Sequence, residues 1–355
     1  MLTTLIYGPK DIRVEQRPDP KLLTDDDAVL RVVACCVCGS DLWPYRGITP
    51  TKKPHGIGHE MIAVIEAKGK NVDIANVGDL VIVPFSLSCG KCQECLDGCT
   101  ASCQHCTFMG GPDENGLPMD GAQTQKIRIP LAQTSLVPVG ISESEAKERG
   151  LVPSLLALSD VMSTGYHAAL GAQIKPGDVV AVVGDGAVGL CAVIAAKLLG
   201  AKRIIAMSRH ADRAALARRF GATDVVAERG EDAAAAVEKL LDGDLVDATL
   251  ECVGTAESME QAFAVTRGGG RIGYVGVPNG GAAFDIHEMF GRNIAVGGGM
   301  ASAHVHAAEL LPRVLSGEIE PGLVFDLTLP LREAPEAYAA MDERRAIKVL
   351  LDPAA

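Results

Sequence analysis

The chain has 355 residues, room for two domains at about 150 residues each. Apolar residues make up 48% and charged residues 22%, the balance of a globular protein with packed cores. Lys plus Arg number 33 and Asp plus Glu 45, a formal net charge of −12; so acidic a surface repels phosphate backbones and anionic lipid and argues against nucleic acid or a membrane as partner.

Met1 to Asp11 lacks the basic stretch, apolar core and cleavage site of an export signal. The longest apolar stretch, Ala187 to Leu199, is broken by Lys197 and is too short to span a bilayer. The expected location is cytoplasmic. Eleven cysteines are an odd number, and six of them fall between Cys89 and Cys106. In a reducing compartment clustered thiols read as metal ligands before disulfides.

From Met1 to about Pro153 the chain is rich in Gly and Pro and in short β-branched runs. Val29 to Val33, Ile62 to Ile65, Leu80 to Val83 and Lys126 to Ile129 read as strands between turn residues. Cys38-Gly39-Ser40-Asp41 is placed at a strand-to-helix turn, and Gly58-His59-Glu60 follows. Cys38 and His59 are a possible metal pair, but two ligands leave zinc unsaturated and a third has to come from elsewhere. Cys89, Cys92, Cys95 and Cys103 lie in one short loop and suffice for a closed tetrahedral zinc site. Cys99 and Cys106 are read as spectators.

From about Leu158 the texture alternates. Asp178 to Val183 reads as a strand, Ala187 to Leu199 as a helix, and Arg203 to Met207 as a strand. Helices at Asp212 to Phe220, Asp232 to Leu241 and Ser258 to Val265 separate apolar strands at Asp224 to Ala227, Ala248 to Cys252 and Arg271 to Val275. Such alternation predicts a doubly wound parallel sheet. Within it, Gly184-Asp185-Gly186-Ala187-Val188-Gly189 follows a strand and opens a helix, the context that a dinucleotide fingerprint requires. The second strand ends in Ser208-Arg209-His210, where an NAD site usually has an acid. Arg209, with Arg213 four residues on, suits a 2′-phosphate, so NADP is expected over NAD. From about Val296 come a Gly-rich turn at Gly297-Gly298-Gly299, a helix at Ala307 to Leu315 and a strand at Ile347 to Leu351.

With these motifs stand Asp160-Val161-Met162-Ser163-Thr164-Gly165-Tyr166 and Tyr274-Val275-Gly276-Val277-Pro278. Together they make the chain resemble, over essentially its whole length, the zinc-containing alcohol dehydrogenases of the medium-chain dehydrogenase/reductase superfamily. The resemblance implies an α/β chain: a GroES-like β catalytic domain with both zinc sites (1–157), a Rossmann domain binding the nicotinamide dinucleotide (158–298), and a return to the catalytic domain (299–355).

The resemblance makes Cys38, His59 and Asp160 the ligands of a catalytic zinc, Asp160 standing where many members have Cys. It makes Glu60 a carboxylate that approaches the metal during ligand exchange, Asp41 the acceptor that orients His59, and Ser40 the hydroxyl that passes the substrate proton. Cys252, Val275, Gly276 and Val277 join Gly184, Gly186, Ala187, Val188, Gly189, Ser208, Arg209 and Arg213 at the cofactor. It further implies two zincs per chain, an alcohol, ketone or aldehyde substrate, and a homo-oligomer, dimer or tetramer. The family often has a proton-relaying His where this chain has Trp43; the indole cannot titrate, leaving water, His55 or His167. Phe108, Met109 and Trp43 are expected at the pocket. The rival within the superfamily is NAD-dependent oxidation of a polyol or amino-alcohol. The zinc-independent quinone reductases lack the cysteine lobe, and a binding protein without catalysis has no need of Ser40 and Glu60.

Overall fold

A computed structural model describes residues 1–355, the side chain of residue 231 excepted. It divides into two units, Met1–Asp160 with Ser302–Ala355, and Val161–Ala301.

The first unit is built on a sheet in which Ala28–Cys36 is central. Met61–Lys68 pairs antiparallel along one edge of it, and Leu80–Val83 pairs with Met61–Lys68. Leu80–Val83 has the bounds expected from the sequence, whereas Ala28–Cys36 and Met61–Lys68 extend beyond the expected Val29 to Val33 and Ile62 to Ile65. On the other edge lies Lys348–Asp352, antiparallel to Ala28–Cys36 with Leu350 opposite Cys36 and Leu351 opposite Cys35. The end of the chain thereby completes the sheet that its beginning started. Ile6, Leu30, Met61, Ile65, Ile127, Tyr338 and Leu351 share its core.

The second unit is a six-stranded parallel sheet. Its order is Asp224–Val226, Arg203–Met207, Val179–Val183, Val246–Glu251, Thr266–Tyr274 and Ala295–Gly298. Counted along the chain, this is the 3-2-1-4-5-6 order of a Rossmann fold. Helices Ala187–Leu198, Ala211–Phe220 and Ala256–Val265 connect strands, as the alternation required.

The expected turn at Gly297-Gly298-Gly299 is a correction, because Ala295–Gly298 is the sixth strand. Glycine is a poor strand residue, but a Cβ on Gly297 would strike the Gly171 carbonyl and one on Gly298 the Tyr274 carbonyl. The close backbone approach requires glycine, and glycine hides the strand from any periodicity. The helix Val161–Gly171, which carries the motif from Val161 to Tyr166, also escaped, since it is buried on most of its faces and shows little amphipathic pattern.

Candidate active site

After Ala28–Cys36 the chain leaves the sheet at Val37 and turns through Cys38 into the single helical turn Leu42–Tyr45. The turn is held from within. The Asp41 backbone N–H donates to the Cys38 carbonyl at 3.1 Å, and the Cys38 N–H donates to Asp41 Oδ2 at 2.9 Å. Asp41 Oδ1 meets His59 Nδ1 at 3.3 Å. A carboxylate at Nδ1 fixes a proton there and makes Nε2 the nitrogen that would give its lone pair to a metal once its own proton leaves. That nitrogen lies 3.5 Å from Asp160 Oδ2, which also lies 3.5 Å from Cys38 Sγ. Ligand atoms of Cys38, His59, Glu60 and Asp160 all fall within 4.8 Å of one another.

Burial and the neighbouring Asp160 carboxylate push the Cys38 thiol up. Burial pushes Glu60 up too, with Lys348 pulling against it. Burial opposes charging of His59, but the Asp41 and Cys38 charges override it and hold the imidazole well above its usual value. Acidic donors crowded in a buried place resist losing their protons until a cation compensates them. Glu60 Oε2 is buried without a hydrogen-bond partner, while Oε1 takes a 2.7 Å contact from Lys348 Nζ. One thiolate, one imidazole and carboxylates, with an orphaned oxygen among them, fit a zinc ion with a place left for substrate.

The second cluster is the loop around the short helix Gln93–Leu96. Thiols of Cys89, Cys92, Cys95 and Cys103 lie within 4.8 Å of one another, with Cys92 Sγ 3.5 Å from Cys95 Sγ and 3.8 Å from Cys103 Sγ. None forms a disulfide. Burial raises the Cys89 thiol, but the Lys91 and Cys92 backbone N–H groups outweigh it and bring it down to about 6. Cys95 is pushed up to about 12 by burial and the neighbouring thiols. Four such sulfurs become thiolates together only around a cation, and the set fits a structural zinc. Cys99 and Cys106 stand outside the group.

A cavity of about 370 Å³ lies beside the first cluster, lined by Ser40, Asp41, His55, His59, Phe108 and Met109 among others. Phe108 and Met109 are therefore where the sequence put them, whereas Trp43 is not among the lining residues. Of the relay candidates, His55 shares the cavity with Ser40, and its Nδ1 sits 3.0 Å from the Lys53 carbonyl. His167 lies in the second unit.

In that unit the fingerprint loop joins Val179–Val183 to Ala187–Leu198. Gly184 has φ of 114°, open to glycine at no cost, and a Cβ on Gly189 would drive into the Gly184 carbonyl. No side chain caps the helix at Gly186, which leaves Ala187, Val188 and Gly189 to offer their N–H groups to a phosphate. Ser208 is buried and donates to Asp185 Oδ2 at 2.8 Å, and Arg213 approaches Asp185 Oδ1 at 3.4 Å. Arg209 is exposed. So a carboxylate does stand at the end of the second strand, supplied by the variable position of the fingerprint rather than by the strand. Sequence reasoning missed Asp185 because the motif treats that place as free.

It also missed Glu251. Its backbone carbonyl accepts from the Val275 and Gly276 N–H groups, and its Oε1 accepts from Val253 and Gly254 at 2.8 Å each. Cys252 follows it, half-buried, and Val277 is exposed. A run of apolar strand residues ending in Glu, before Cys-Val-Gly, was the available signal.

Residues 24–139 match the alcohol dehydrogenase GroES-like domain family, and residues 187–315 the zinc-binding dehydrogenase family. The probable zinc-binding alcohol dehydrogenase of Mycobacterium tuberculosis is 34% identical, over 97% of this chain and 86% of that protein. Among solved structures, the alcohol dehydrogenase TADH from Thermus sp. ATN1 superposes with a TM-score of 0.88 at 30% identity, covering 99% of each chain. A zinc-binding dehydrogenase from Sinorhizobium meliloti, solved bound to NADP, gives a TM-score of 0.82 at 26% identity over 99% of each chain. The chain belongs to the zinc-containing alcohol dehydrogenases of the medium-chain dehydrogenase/reductase superfamily. It is an oxidoreductase of the alcohol and polyol dehydrogenase class.

Proposed function

We propose that this enzyme interconverts an alcohol and its carbonyl compound with NADP(H), using a zinc held by Cys38, His59 and Asp160. The observation that carries the reading is the buried cluster itself: a thiol, an imidazole oriented by Asp41 and two carboxylates, opening beside a cavity that Ser40 lines. Zinc there supplies a Lewis acid that acidifies a hydroxyl or polarises a carbonyl, and the nicotinamide supplies the hydride acceptor or donor. One thiolate and one carboxylate balance the ion's two charges, and the carboxylate in place of a second thiolate makes a harder donor set.

The chain's own residues handle the proton. Ser40 Oγ accepts it from the substrate hydroxyl and passes its own onward. His55 is the acceptor in the same cavity: with Nδ1–H donated to the Lys53 carbonyl, Nε2 is the free base. Asp41 keeps His59 in one tautomer throughout. Phe108 and Met109 give the cavity an apolar side against which the substrate's carbon chain rests.

A second zinc, held by Cys89, Cys92, Cys95 and Cys103, ties down the loop that carries them. For the cofactor, Arg209 is the residue offered to a 2′-phosphate, since Ser208 and Arg213 are both engaged with Asp185. The same Asp185 favours the alternative reading, NAD as cofactor, because a carboxylate repels the phosphate and accepts from a ribose hydroxyl. The NADP-bound relative from Sinorhizobium supports the first reading. No helix among the described residues is long and apolar enough to cross a membrane.

The test is a panel of primary and secondary alcohols, polyols and the matching carbonyl compounds, followed at the nicotinamide absorbance with each cofactor. Turnover of at least one alcohol–carbonyl pair, faster with NADPH than with NADH, is expected. No turnover with either cofactor by fully metallated protein contradicts the reading.

A further inference from the structure

Lys348 is an ammonium with almost no access to solvent, 1% exposed, on the last strand of the chain. A lysine buried in this way is rare without a reason. Its Nζ donates to the Val37 carbonyl at 3.2 Å and to Glu60 Oε1 at 2.7 Å. Val37 precedes Cys38, and Glu60 follows His59, so one ammonium spans the two segments that bring the thiol and the imidazole together. Glu60 is completely buried. The ammonium holds one of its oxygens and leaves the other, Oε2, without a partner in the cluster of Cys38, His59 and Asp160.

We propose that Lys348 is a positioning residue that decides whether Glu60 or an incoming ligand takes the fourth place on the metal. The inference rests on the reading of Cys38, His59 and Asp160 as ligands of a zinc. A carboxylate tethered through Oε1 can lean toward the metal with Oε2 and swing back, because the tether offsets part of its charge and limits its reach. Without the ammonium, Glu60 is an uncompensated buried carboxylate, and the metal becomes its sole cationic neighbour. It then binds permanently and closes the place that substrate needs. The register explains why the chain must come back to the sheet: Leu350 pairs with Cys36, which sets Lys348 beside the turn that bears Cys38.

The experiment replaces zinc by cobalt(II) in the full-length protein and follows its visible spectrum while imidazole is added. Wild-type protein is expected to show a cobalt band that shifts as imidazole enters the fourth place. In K348M the imidazole dissociation constant is expected to rise by about tenfold or more, the size of effect seen when a partner of a metal ligand is removed. In K348R, which keeps the cation, it is expected to stay within about threefold of wild type. K348M/E60Q is expected to match E60Q alone, because Lys348 acts only through the Glu60 charge. That comparison holds even if K348M does not fold, since the double variant buries no unpaired charge.

A K348M protein that binds imidazole as tightly as wild type overturns the proposal. So does a difference between K348M/E60Q and E60Q, which marks a purely structural lysine. Wild-type protein that takes up no cobalt sensitive to D160A overturns the ligand assignment instead, and so separates the two failures.

Discussion

Asp41 uses both carboxylate oxygens, one on the Cys38 backbone N–H and the other on His59 Nδ1. An amide at this position keeps only one oxygen, so Asp41→Asn is expected to weaken zinc affinity by about 10- to 100-fold. Competition against a chromogenic chelator measures this directly. Ser40→Ala is expected to lower kcat by about 10²-fold or more, the range for a group that moves a proton, while metal content stays unchanged. Near-normal turnover in that variant refutes the role of Ser40. At the cofactor, Arg209→Ala is expected to narrow the preference for NADPH over NADH. Asp185→Asn is expected to widen it by removing the charge that faces the phosphate, and titration of nicotinamide fluorescence reads both. Of the candidate zinc donors, the four cysteines were legible from their spacing, while Cys38, His59 and Asp160 came together only through the family resemblance. Asp185 and Lys348 were not legible: one occupies a place that its motif leaves open, and the other meets Glu60 across 288 positions of chain.

One helix rests on a close backbone approach, and one strand carries a buried pair of ionic contacts. The helix Ala187–Leu198 approaches its strand through Gly189, whose Cβ has no space against the Gly184 carbonyl. Gly189→Ala is expected to cost about 1–3 kcal/mol, as overpacking does, and to weaken dinucleotide binding. Thermal unfolding with and without NADPH checks both effects. The strand Lys126–Ile129 carries Arg128, which is buried between Asp27 at 2.9 Å and Asp113 at 2.7 Å. Burial alone raises the Asp113 carboxyl, but Arg128 and the Leu117 and Asn115 backbone N–H groups outweigh it and hold it below its ordinary value. A depressed carboxylate stabilises the fold above its unfolded pKa, about 4, and the contribution is lost as pH falls toward the folded value. Asp113→Asn is therefore expected to lower the urea midpoint at pH 7, with the gap to wild type closing below about pH 4. Alternating apolar strands and helices made most elements readable. The glycine strand Ala295–Gly298 and the largely buried helix Val161–Gly171 were unreadable, because close approach and burial on most faces blur the periodicities on which such reading depends.

At the scale of the whole molecule, the acidic composition argues against nucleic acid and anionic membranes as partners, and the clustered cysteines pointed to where a metal would sit. Neither said that the final strand would run beside the first long one, since pairing of Leu350 with Cys36 is a long-range fact with no local signature. That return is what brings Lys348 to Glu60 and makes the first unit from two distant stretches of sequence. The account as a whole rests on two separate metal sites, one closed by four thiolates and one open for chemistry. Metal analysis of wild-type protein and of Asp160→Ala tests this most directly. The account predicts two zinc ions per chain in wild type and one in the variant, with the cysteine lobe still loaded. A single zinc in wild type, unchanged by Asp160→Ala, contradicts it.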